Sequence, residues 1–253
     1  MFMVENHSLG EMRRKMPWTY RLAKHYGYAT RYRAITHPSL PNYLAIAGGS
    51  TFGIRDDNDP SAHRLHGHSV FGLARRAGLS ARVYAESMPR RCATTDAGEY
   101  AVRHNPWTYF VDERTSCRRF DTPLSRFGYD VHHGRLPAAG MVVPNVCHDA
   151  HDCSLGTADA WLKKEVGLAM AGPDFQQGRL AIVITADEDD GSQGNTVLTA
   201  LVDPSVRGLV ARARLSHFSL CRLYTQVLGL PAIRRARHAA SMAAAFGLPL
   251  ARG

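Results

Sequence analysis

The feature that most constrains the fold is a run of apolar residues that leads directly into a cluster of acidic residues. Residues 179–191 read RLAIVITADEDDG, and the apolar part has the composition of a strand that is buried on both faces. Such strands occur in parallel sheets that helices cover on both sides, where ligands bind beyond the carboxyl ends of the strands. Because Asp187 and Glu188 directly follow the strand, the sequence places them at the edge where a functional site is expected.

Strand-like and helix-like segments alternate along the rest of the chain. Helical apolar spacing occurs in residues 40–47, 69–78, 157–172 (which Gly172-Pro173 is expected to end) and 217–230. Strand-like patterns occur in residues 81–87, 139–145 and 195–203. The chain has 253 residues, of which 45% are hydrophobic, and so it is long enough to bury a substantial core. The alternation predicts one α/β domain over residues 1–253, with a mainly parallel central sheet and helices on both faces.

The formal charge of +9 indicates attraction to anionic partners such as phosphate esters, lipid surfaces or nucleic acid. The arginines are scattered in pairs such as Arg90-Arg91, and they do not alternate with aromatic residues as on a base-stacking surface. We therefore predict no nucleic-acid partner. A high content of Arg, Ala and Gly is equally typical of a GC-rich genome, so the charge alone does not identify a ligand. No stretch approaches the roughly 20 apolar residues of a transmembrane helix.

Two features bear on the compartment in which the protein works. The first residues, MFMV, resemble the second half of a buried strand, and we expect the sequence to lack the start of that strand and any export signal before it. The five cysteines allow a short disulfide between Cys147 and Cys153 and a longer one between Cys92 and Cys117, while Cys221 lies in an apolar helical run as a buried thiol. Two disulfides would indicate an exported protein and reduced thiols a cytosolic one, and the pattern leaves both open.

Polar side chains also follow the first predicted strand. Glu5 and Asn6 come directly after MFMV, at the same edge of the sheet as Asp187 and Glu188. Carboxylates packed together repel one another unless a cation neutralises them, and these three acids with the amide oxygen of Asn6 form an oxygen-rich set that suits a divalent cation. For DEDDG taken alone, a solvated acidic turn is the simpler interpretation.

A second polar cluster lies in PNVCHDAHDC, residues 144–153, after another predicted strand. Its nitrogen and oxygen atoms suit a metal ion or phosphate oxygens, and we expect a histidine at the start of a later helix to join them. The residues concerned are His148, Asp149, His151, Asp152 and His217. Most of the 13 histidines, such as His63, His66 and His68, are expected to be surface or core residues without such a role.

Ser39, in THPSLPNY, begins the helix predicted over residues 40–47. A serine at this position is most often an N-cap whose hydroxyl accepts a hydrogen bond from a backbone N–H group. The same position directs the hydroxyl toward free N–H groups that hold a phosphate, where a nearby cation would make it a nucleophile. The stretch alone favours an N-cap role for Ser39, whereas the polar clusters at three strand ends favour a catalytic role.

Several short motifs occur in an order that resembles a known family. They are VENHS, THPSLPNYLAIAGG, GIRDDNDP, YAESMP, RHNPWTYF, PNVCHDAHDC, TADEDDG and HFSL. Together they resemble bacterial secreted acid phosphatases and phosphatidylinositol phosphatases of the phosphoesterase family, which is related to phospholipases C and belongs to the alkaline phosphatase superfamily. The resemblance covers nearly the whole chain, and it implies an alkaline phosphatase-like fold, both disulfides and a secreted, periplasmic or cell-surface location.

The resemblance also implies roles for individual residues. Ser39 is similar to the phosphoryl-accepting nucleophile, and His104, in RHNPW, to a pocket residue and leaving-group acid, although a structural histidine at a helix end is the simpler interpretation of His104. Asp56 and Asn58 lie nearby and would help to orient ligands. In full, the implied catalytic residues are Ser39, His104, His151 and His217; the substrate-binding residues are Asn42, Asp57 and His148; and the metal ligands are Glu5, Asn6, Asp187, Glu188 and Asp149.

The activity that the resemblance implies is that of a metal-dependent phosphomonoesterase with a phosphoserine intermediate. Its substrate would be a phosphate monoester, including a phospholipid headgroup such as a phosphoinositide. Two alternatives stay open: a phospholipase C-like phosphodiesterase, and a catalytically inactive module that binds anionic ligands. The cation is expected to be calcium, magnesium, zinc or iron, because oxygen ligands suit the first two and the histidines suit the others. One departure from the family pattern is Ala186, where a bulkier residue is usual, and we expect it to affect packing only.

Overall fold

The computed structural model describes residues 1–250. Within this range the strands are β1 (Phe2–Val4), β2 (Gly27–Ala29), β3 (Tyr32–Arg33), β4 (Ala81–Ala85), β5 (Asp121–Pro123), β6 (Ala139–Val143), β7 (Ile182–Ala186), β8 (Thr199–Val202), β9 (Leu209–Ala211) and β10 (Leu215–Ser216). The α-helices are α1 (Leu9–Lys15), α2 (Pro17–His25), α3 (Ser39–Gly48), α4 (Val70–Arg76), α5 (Arg114–Phe120), α6 (Ser125–His132), α7 (Leu155–Ala171), α8 (Pro173–Gln176), α9 (His217–Val227) and α10 (Met242–Phe246). Short 3-10 helices cover Val102–His104, Pro106–Tyr109, Val111–Glu113 and Arg234–His238.

The core of the fold, as far as residues 1–250 show it, is an eight-stranded sheet with the order β5-β4-β6-β1-β7-β8-β2-β9. The five strands β5, β4, β6, β1 and β7 run parallel to one another. The next strand, β8, is antiparallel to both β7 and β2. Strands β3 and β10 form a separate parallel pair. The helices pack in two groups, one around α2 and α7 and the other around α3 and α9. The predicted α/β fold with a mainly parallel sheet is confirmed.

The predicted segments correspond to observed elements, with shifts at their ends. The helix predicted over residues 157–172 begins two residues earlier, because the Ser154 hydroxyl accepts a hydrogen bond from the Thr157 N–H and caps α7, and it ends before Gly172 as expected. The strand predicted over residues 195–203 is shorter, and it is the antiparallel member of the sheet, which the sequence pattern did not indicate.

The short first strand lies in the middle of the sheet, between β6 and β7. Its three residues are fully buried, and Val4 pairs with Ala186 of β7. Because parallel strands end at the same edge, this register brings the residues that follow them, Glu5 and Asp187, side by side. Glu188 follows at the same edge.

Helix α3 is buried along its whole length, which explains its apolar sequence. It packs against α9 and ends at Gly49, which has a φ of 66°. A side chain at Gly49 would be strained at this φ, and its Cβ would lie 2.8 Å from the backbone oxygen of Ile233. The end of α3 is therefore fixed, and with it the direction in which the helix presents Ser39.

Both of the expected disulfides are present, Cys92–Cys117 and Cys147–Cys153. Cys221 is a buried free thiol, as expected. Because disulfides persist in oxidising compartments, the two bridges favour the exported alternative over the cytosolic one. None of the helices formed by residues 1–250 has the length and apolar character needed to cross a membrane.

Asp121, the first residue of β5, is a buried carboxyl group away from the edge where Glu5 and Asp187 lie. It accepts a hydrogen bond of 2.9 Å from Asn105 Nδ2, and its Oδ1 has no partner among the described residues. Burial raises the pKa of Asp121 from 3.8 to about 8. The folded protein therefore keeps a proton on this group at pH values where the unfolded chain has released it.

We predict that Asp121→Asn flattens the dependence of stability on pH. The folded pKa is raised, so the stability from this proton is complete below pH 3.8 and is lost as the pH rises to about 8. In that range Asp121 contributes a slope of about 1.4 kcal/mol per pH unit, which the amide removes. Urea unfolding between pH 5 and 8 measures the effect, with the exposed Asp96→Asn as control. A slope unchanged by Asp121→Asn would contradict the assignment.

Candidate active site

The site is built where β1 and β7 end. Backbone hydrogen bonds hold the two strand ends in place: Asp187 N–H donates to the Val4 oxygen at 3.0 Å, and Glu5 N–H donates to the Asp149 oxygen at 2.8 Å. The Asn6 N–H donates to Asp187 Oδ1 at 3.0 Å. Glu5 and Asp187 are fully buried, so two acids that follow sequence-distant strands meet without contact with solvent.

Ser39 is the first residue of α3, and its hydroxyl points at this pair. Ser39 Oγ donates a hydrogen bond of 2.9 Å to Glu5 Oε2. The N-cap is Pro38, and no side chain caps the helix from that position, so the interpretation of Ser39 as an N-cap is wrong. The field of free N–H groups is also smaller than expected, because the Leu40 N–H donates to Asp57 Oδ1 at 2.8 Å and Pro41 has none.

Tyr43 and His104 complete the buried cluster around Glu5. The Tyr43 hydroxyl donates a hydrogen bond to Glu5 Oε1. His104 lies between two acids, with Nε2 3.3 Å from Glu5 Oε2 and Nδ1 3.0 Å from Asp149 Oδ2. Only 1% of the His104 surface is exposed, so the ring is packed inside the site and not at its mouth.

Burial shifts the pKa values of these groups toward their neutral forms. Desolvation, with the neighbouring charges of Asp187 and Asp149, raises the pKa of Glu5 well above its usual range. Burial likewise raises the pKa of Asp187, and it raises that of Asp149 to about 7. It lowers the pKa of His104 to about 3. The fold therefore holds these acids at a large desolvation cost unless protons or a cation neutralise them.

The donor set of this cluster fits a divalent cation. In the part of the chain that the structure describes, Asp187 Oδ2, Asp149 Oδ2 and both ring nitrogens of His104 are buried without a hydrogen-bond partner. Ligand atoms of Glu5, His104 and Asp149 all lie within 4.8 Å of one another. Unpaired buried carboxylates and imidazole are the groups that bind hard or borderline cations. Glu5 and Asp149 are among the metal ligands that the resemblance implies, whereas His104 is among the implied catalytic residues.

Glu188 lies in a network with His37 and Asn42. Asn42 Nδ2 donates to Glu188 Oε2 at 2.9 Å, and His37 Nδ1 lies 3.0 Å from Glu188 Oε1. The Asn42 Oδ1 accepts from the Ile35 N–H, so this buried amide orders the segment before α3. Burial, with the charge of Asp187, raises the pKa of Glu188 to about 9. Substrate binding by Asn42 and Asp57 stays a prediction, and in the structure both side chains hold backbone around Ser39.

His217 is buried directly behind Asp187. Its Nε2 donates to the Asp187 backbone oxygen at 2.5 Å, and its Nδ1 accepts from the Tyr32 hydroxyl at 3.0 Å. With both nitrogens engaged the ring is neutral, and burial lowers its pKa to about 4. The structure thus places His217 where it supports the turn at Asp187, and a direct catalytic role stays a prediction.

The two histidines of the second cluster differ in position. His151 stands beside the buried group, with its ring centre 6.2 Å from that of His104, and it bonds to Asp152 Oδ1 at 2.6 Å. His148 instead bonds to Glu86 Oε2 at 2.9 Å and stacks on Trp161. Of the nearby residues expected to orient ligands, Asp56 bonds through Oδ1 to His63 Nε2, and the backbone oxygen of Asn58 accepts a hydrogen bond from the Tyr109 hydroxyl. The structure thus brings His151, but not His148, next to the buried cluster around Glu5.

Two residues of the site were missed by sequence reasoning. Tyr43 follows Ser39 by four positions on α3, so the helical period places both on one face, and this spacing was a usable signal. His37 has 47% of its side chain exposed and reaches both Glu188 and Asp189. Its position in THPS, two residues before Ser39, did not indicate these contacts.

Comparison with known proteins identifies the family. The sequence model of the phosphoesterase family matches residues 5–218. The chain belongs to the phosphoesterase family. The match begins at Glu5 and ends just after His217, and so it includes every residue of the cluster described above.

Named relatives of this phosphoesterase family chain are phosphatases. This chain is 33% identical over 202 residues to the phosphatidylinositol-3-phosphatase of Mycobacterium tuberculosis. The aligned region covers 78% of this chain and 64% of the relative. The chain is 28% identical over 228 residues to the phosphate-repressible acid phosphatase of Penicillium chrysogenum, covering 85% of this chain and 55% of the relative. The chain thus spans less than two thirds of the length of these relatives.

Solved structures share the fold at low sequence identity. A protein of the alkaline phosphatase superfamily from Vibrio parahaemolyticus aligns with a TM-score of 0.62 and 11% identity, covering 90% of this chain and 65% of that one. A putative sulfatase from Bacteroides thetaiotaomicron aligns with a TM-score of 0.64 and 10% identity, covering 99% and 75%. The expected alkaline phosphatase-like fold is confirmed.

We predict that divalent cations stabilise the protein more at pH 8 than at pH 5. The raised pKa values of Asp149 (about 7) and Glu188 (about 9) mean that the metal-free fold loses stability as the pH rises from about 4 through these values. A cation binds the deprotonated carboxylates, so its stabilising effect grows over the same range. At a hundred times its Kd we expect the Tm to rise by about 5–10 °C at pH 8.

Differential scanning calorimetry with Mg²⁺, Ca²⁺ or Zn²⁺, against a chelator, measures this rise at both pH values. Asp187→Asn serves as the control that should lose the effect. A rise in Tm that is equal at pH 5 and pH 8, or that persists in Asp187→Asn, would show that the ion binds elsewhere.

Proposed function

We propose that this chain is a divalent-metal-dependent phosphomonoesterase in which Ser39 accepts the phosphoryl group. The observation that carries the proposal is the hydrogen bond from Ser39 Oγ to Glu5 Oε2 inside a buried cluster of acids. A serine donating to a carboxylate is ready to lose its proton, and the acids around it supply ligands for a cation. The phosphatase names of the relatives support the same reaction class.

The proposed metal ligands are Glu5, Asn6, Asp187 and Glu188, with Asp149 and His104 within reach of Glu5. A divalent cation held there would lower the pKa of the Ser39 hydroxyl and neutralise charge on the phosphate oxygens. Ser39 Oγ attacks phosphorus, and its proton passes to Glu5 Oε2, the atom that accepts its hydrogen bond. The bond from phosphorus to the leaving oxygen breaks, and the leaving oxygen takes a proton from His151, which gives a phosphoserine. Water then attacks the phosphoserine and gives a proton to His151, while the proton on Glu5 returns to Ser39 Oγ.

The protein's contribution to this reaction is position and charge. The phosphoryl transition state is loose, so most of the rate acceleration comes from alignment and electrostatic stabilisation. Helix α3 is rigid because it is buried throughout, and Asp57 and Asn42 hold the turn that leads into it. His151, beside the cluster, is the proposed group that contacts the leaving group or the attacking water.

The proposed substrate is a phosphate monoester, with a phosphoinositide headgroup as the particular candidate. The relative named phosphatidylinositol-3-phosphatase motivates that choice. The formal charge of +9 favours anionic esters and anionic lipid surfaces over neutral substrates. We also propose that the protein is exported, because its two disulfides are typical of proteins in oxidising compartments.

The first test is hydrolysis of p-nitrophenyl phosphate beside its bis ester, before and after chelation, with Mg²⁺, Ca²⁺, Zn²⁺ and Fe²⁺ added back singly. We expect turnover of the monoester that chelation removes and one cation restores. Preference for the bis ester would replace this proposal with a phospholipase C-like phosphodiesterase. Turnover of neither ester with any cation would support a module that only binds anions.

We predict that Ser39→Ala lowers kcat at least about a thousandfold and leaves the fold intact, because it removes the attacking atom. Ser241→Ala is the matched control, since Ser241 caps α10 away from the site and its loss should affect stability alone. Turnover is measured with the monoester, and folding by circular dichroism. Near-normal activity of Ser39→Ala would exclude Ser39 as the nucleophile.

A further inference from the structure

We propose that Tyr43 is the residue that positions the cation site: its hydroxyl fixes the Glu5 carboxylate, and its ring fixes the His104 imidazole. The proposal deepens the proposed function, on which it rests, by assigning the support of two groups of the buried cluster to one side chain. Tyr43 is a positioning residue in this account, because it is fully buried and does not reach the substrate.

The first observation is how the two oxygens of Glu5 are divided. Tyr43 donates to Oε1, and Ser39 donates to Oε2. Oε2 is also the oxygen that lies 3.3 Å from His104 Nε2. By holding one oxygen, Tyr43 fixes the plane of the carboxylate, with the other oxygen turned toward Ser39 and the histidine. Without this hydrogen bond, the donor that holds the Glu5 carboxylate is Ser39 alone, and the plane of the carboxylate is less constrained.

The second observation concerns the ring of Tyr43. It stacks on the imidazole of His104, with ring centres 5.2 Å apart and planes inclined by 7°. His104 sits between Glu5 and Asp149 without an aligned hydrogen bond from any of the described residues. Stacking on Tyr43 therefore constrains the plane of the imidazole, together with the nearby carboxylates of Glu5 and Asp149.

The position of Tyr43 makes it suited to this role. It lies one turn after Ser39 on the same face of α3, so the helix that carries the nucleophile also carries the support for Glu5 and His104. Groups that orient metal ligands typically change metal affinity 10- to 100-fold when they are removed. The hydroxyl of Tyr43 makes this kind of contact, and its removal leaves Glu5 Oε1 buried without a donor.

The test is Tyr43→Phe, which keeps the ring stack and removes only the hydroxyl. We expect the Kd for the divalent cation to rise about tenfold or more. Isothermal titration calorimetry with Mg²⁺, Ca²⁺, Zn²⁺ and Fe²⁺ measures the Kd without reference to activity. Tyr43→Leu, which removes the stack as well, should raise the Kd further.

Tyr84→Phe is the matched control. Tyr84 is also a buried tyrosine whose hydroxyl donates to a carboxylate, Asp130 Oδ2 at 2.9 Å, but it lies on β4 outside the site. We expect Tyr84→Phe to lower the Tm and leave the Kd unchanged. If Tyr43→Phe and Tyr43→Leu likewise lower only the Tm, Tyr43 is purely structural and the proposal is overturned.

Failure of the proposed function gives a different result. If the unchanged protein binds none of Mg²⁺, Ca²⁺, Zn²⁺ and Fe²⁺, or if Glu5→Gln binds them equally well, the cation site itself is absent and both proposals fall. If the unchanged protein binds a cation and Glu5→Gln does not, the site stands, and the Kd of Tyr43→Phe alone decides the role of Tyr43.

Discussion

The pairing of β1 with β7 is the interaction on which the site depends. These strands are far apart in the sequence, since Val4 and Ala186 lie 182 positions apart, yet their pairing brings Glu5 beside Asp187. The strands themselves are apolar and buried, so the hydrophobic effect stabilises the pairing, while the acids at its end oppose it through desolvation and repulsion. A shift of one residue would turn Glu5 to the other face of the sheet, so the core determines the geometry of the site.

Helix α3 transmits this geometry to Ser39, the proposed nucleophile. It is buried on all sides, and its N-terminal turn is secured from outside by Asp57, which accepts a hydrogen bond from the Leu40 N–H. A hydroxyl on a loop would have several orientations, whereas Ser39 has the orientation that a fully buried helix gives it. The cap is supplied by Asp57, so the Ser39 hydroxyl is left to interact with Glu5. The question of whether Ser39 is a cap is thus resolved by a residue that is distant in sequence.

The sequence indicated those parts of the site that follow from local pattern. Apolar strands that end in acids predicted the sheet edge, and Glu5, Asp187, Glu188 and Ser39 could be placed there because each directly follows a strand or begins a helix. The antiparallel direction of β8 and the different surroundings of His148 and His151 could not be predicted, because they depend on contacts between distant segments. The helical period placed Tyr43 on the same face as Ser39, but its partner Glu5 lies 38 positions away, and no local pattern encodes that contact.

A phosphate ester that approaches Ser39 in the proposed reaction experiences two opposite electrostatic effects. The formal charge of +9 attracts an anionic ester at long range, whereas Glu5, Asp187 and Glu188 repel it at close range once they are ionised. Neutralising these acids therefore has to precede or accompany phosphate binding, whether by a cation or by protons. Because linkage is reciprocal, a phosphate bound at Ser39 would in turn raise the affinity of the site for a cation. The buried acids thus couple the two ligands through one shared cluster, and the burial that makes the cluster costly to fold is what makes this coupling strong.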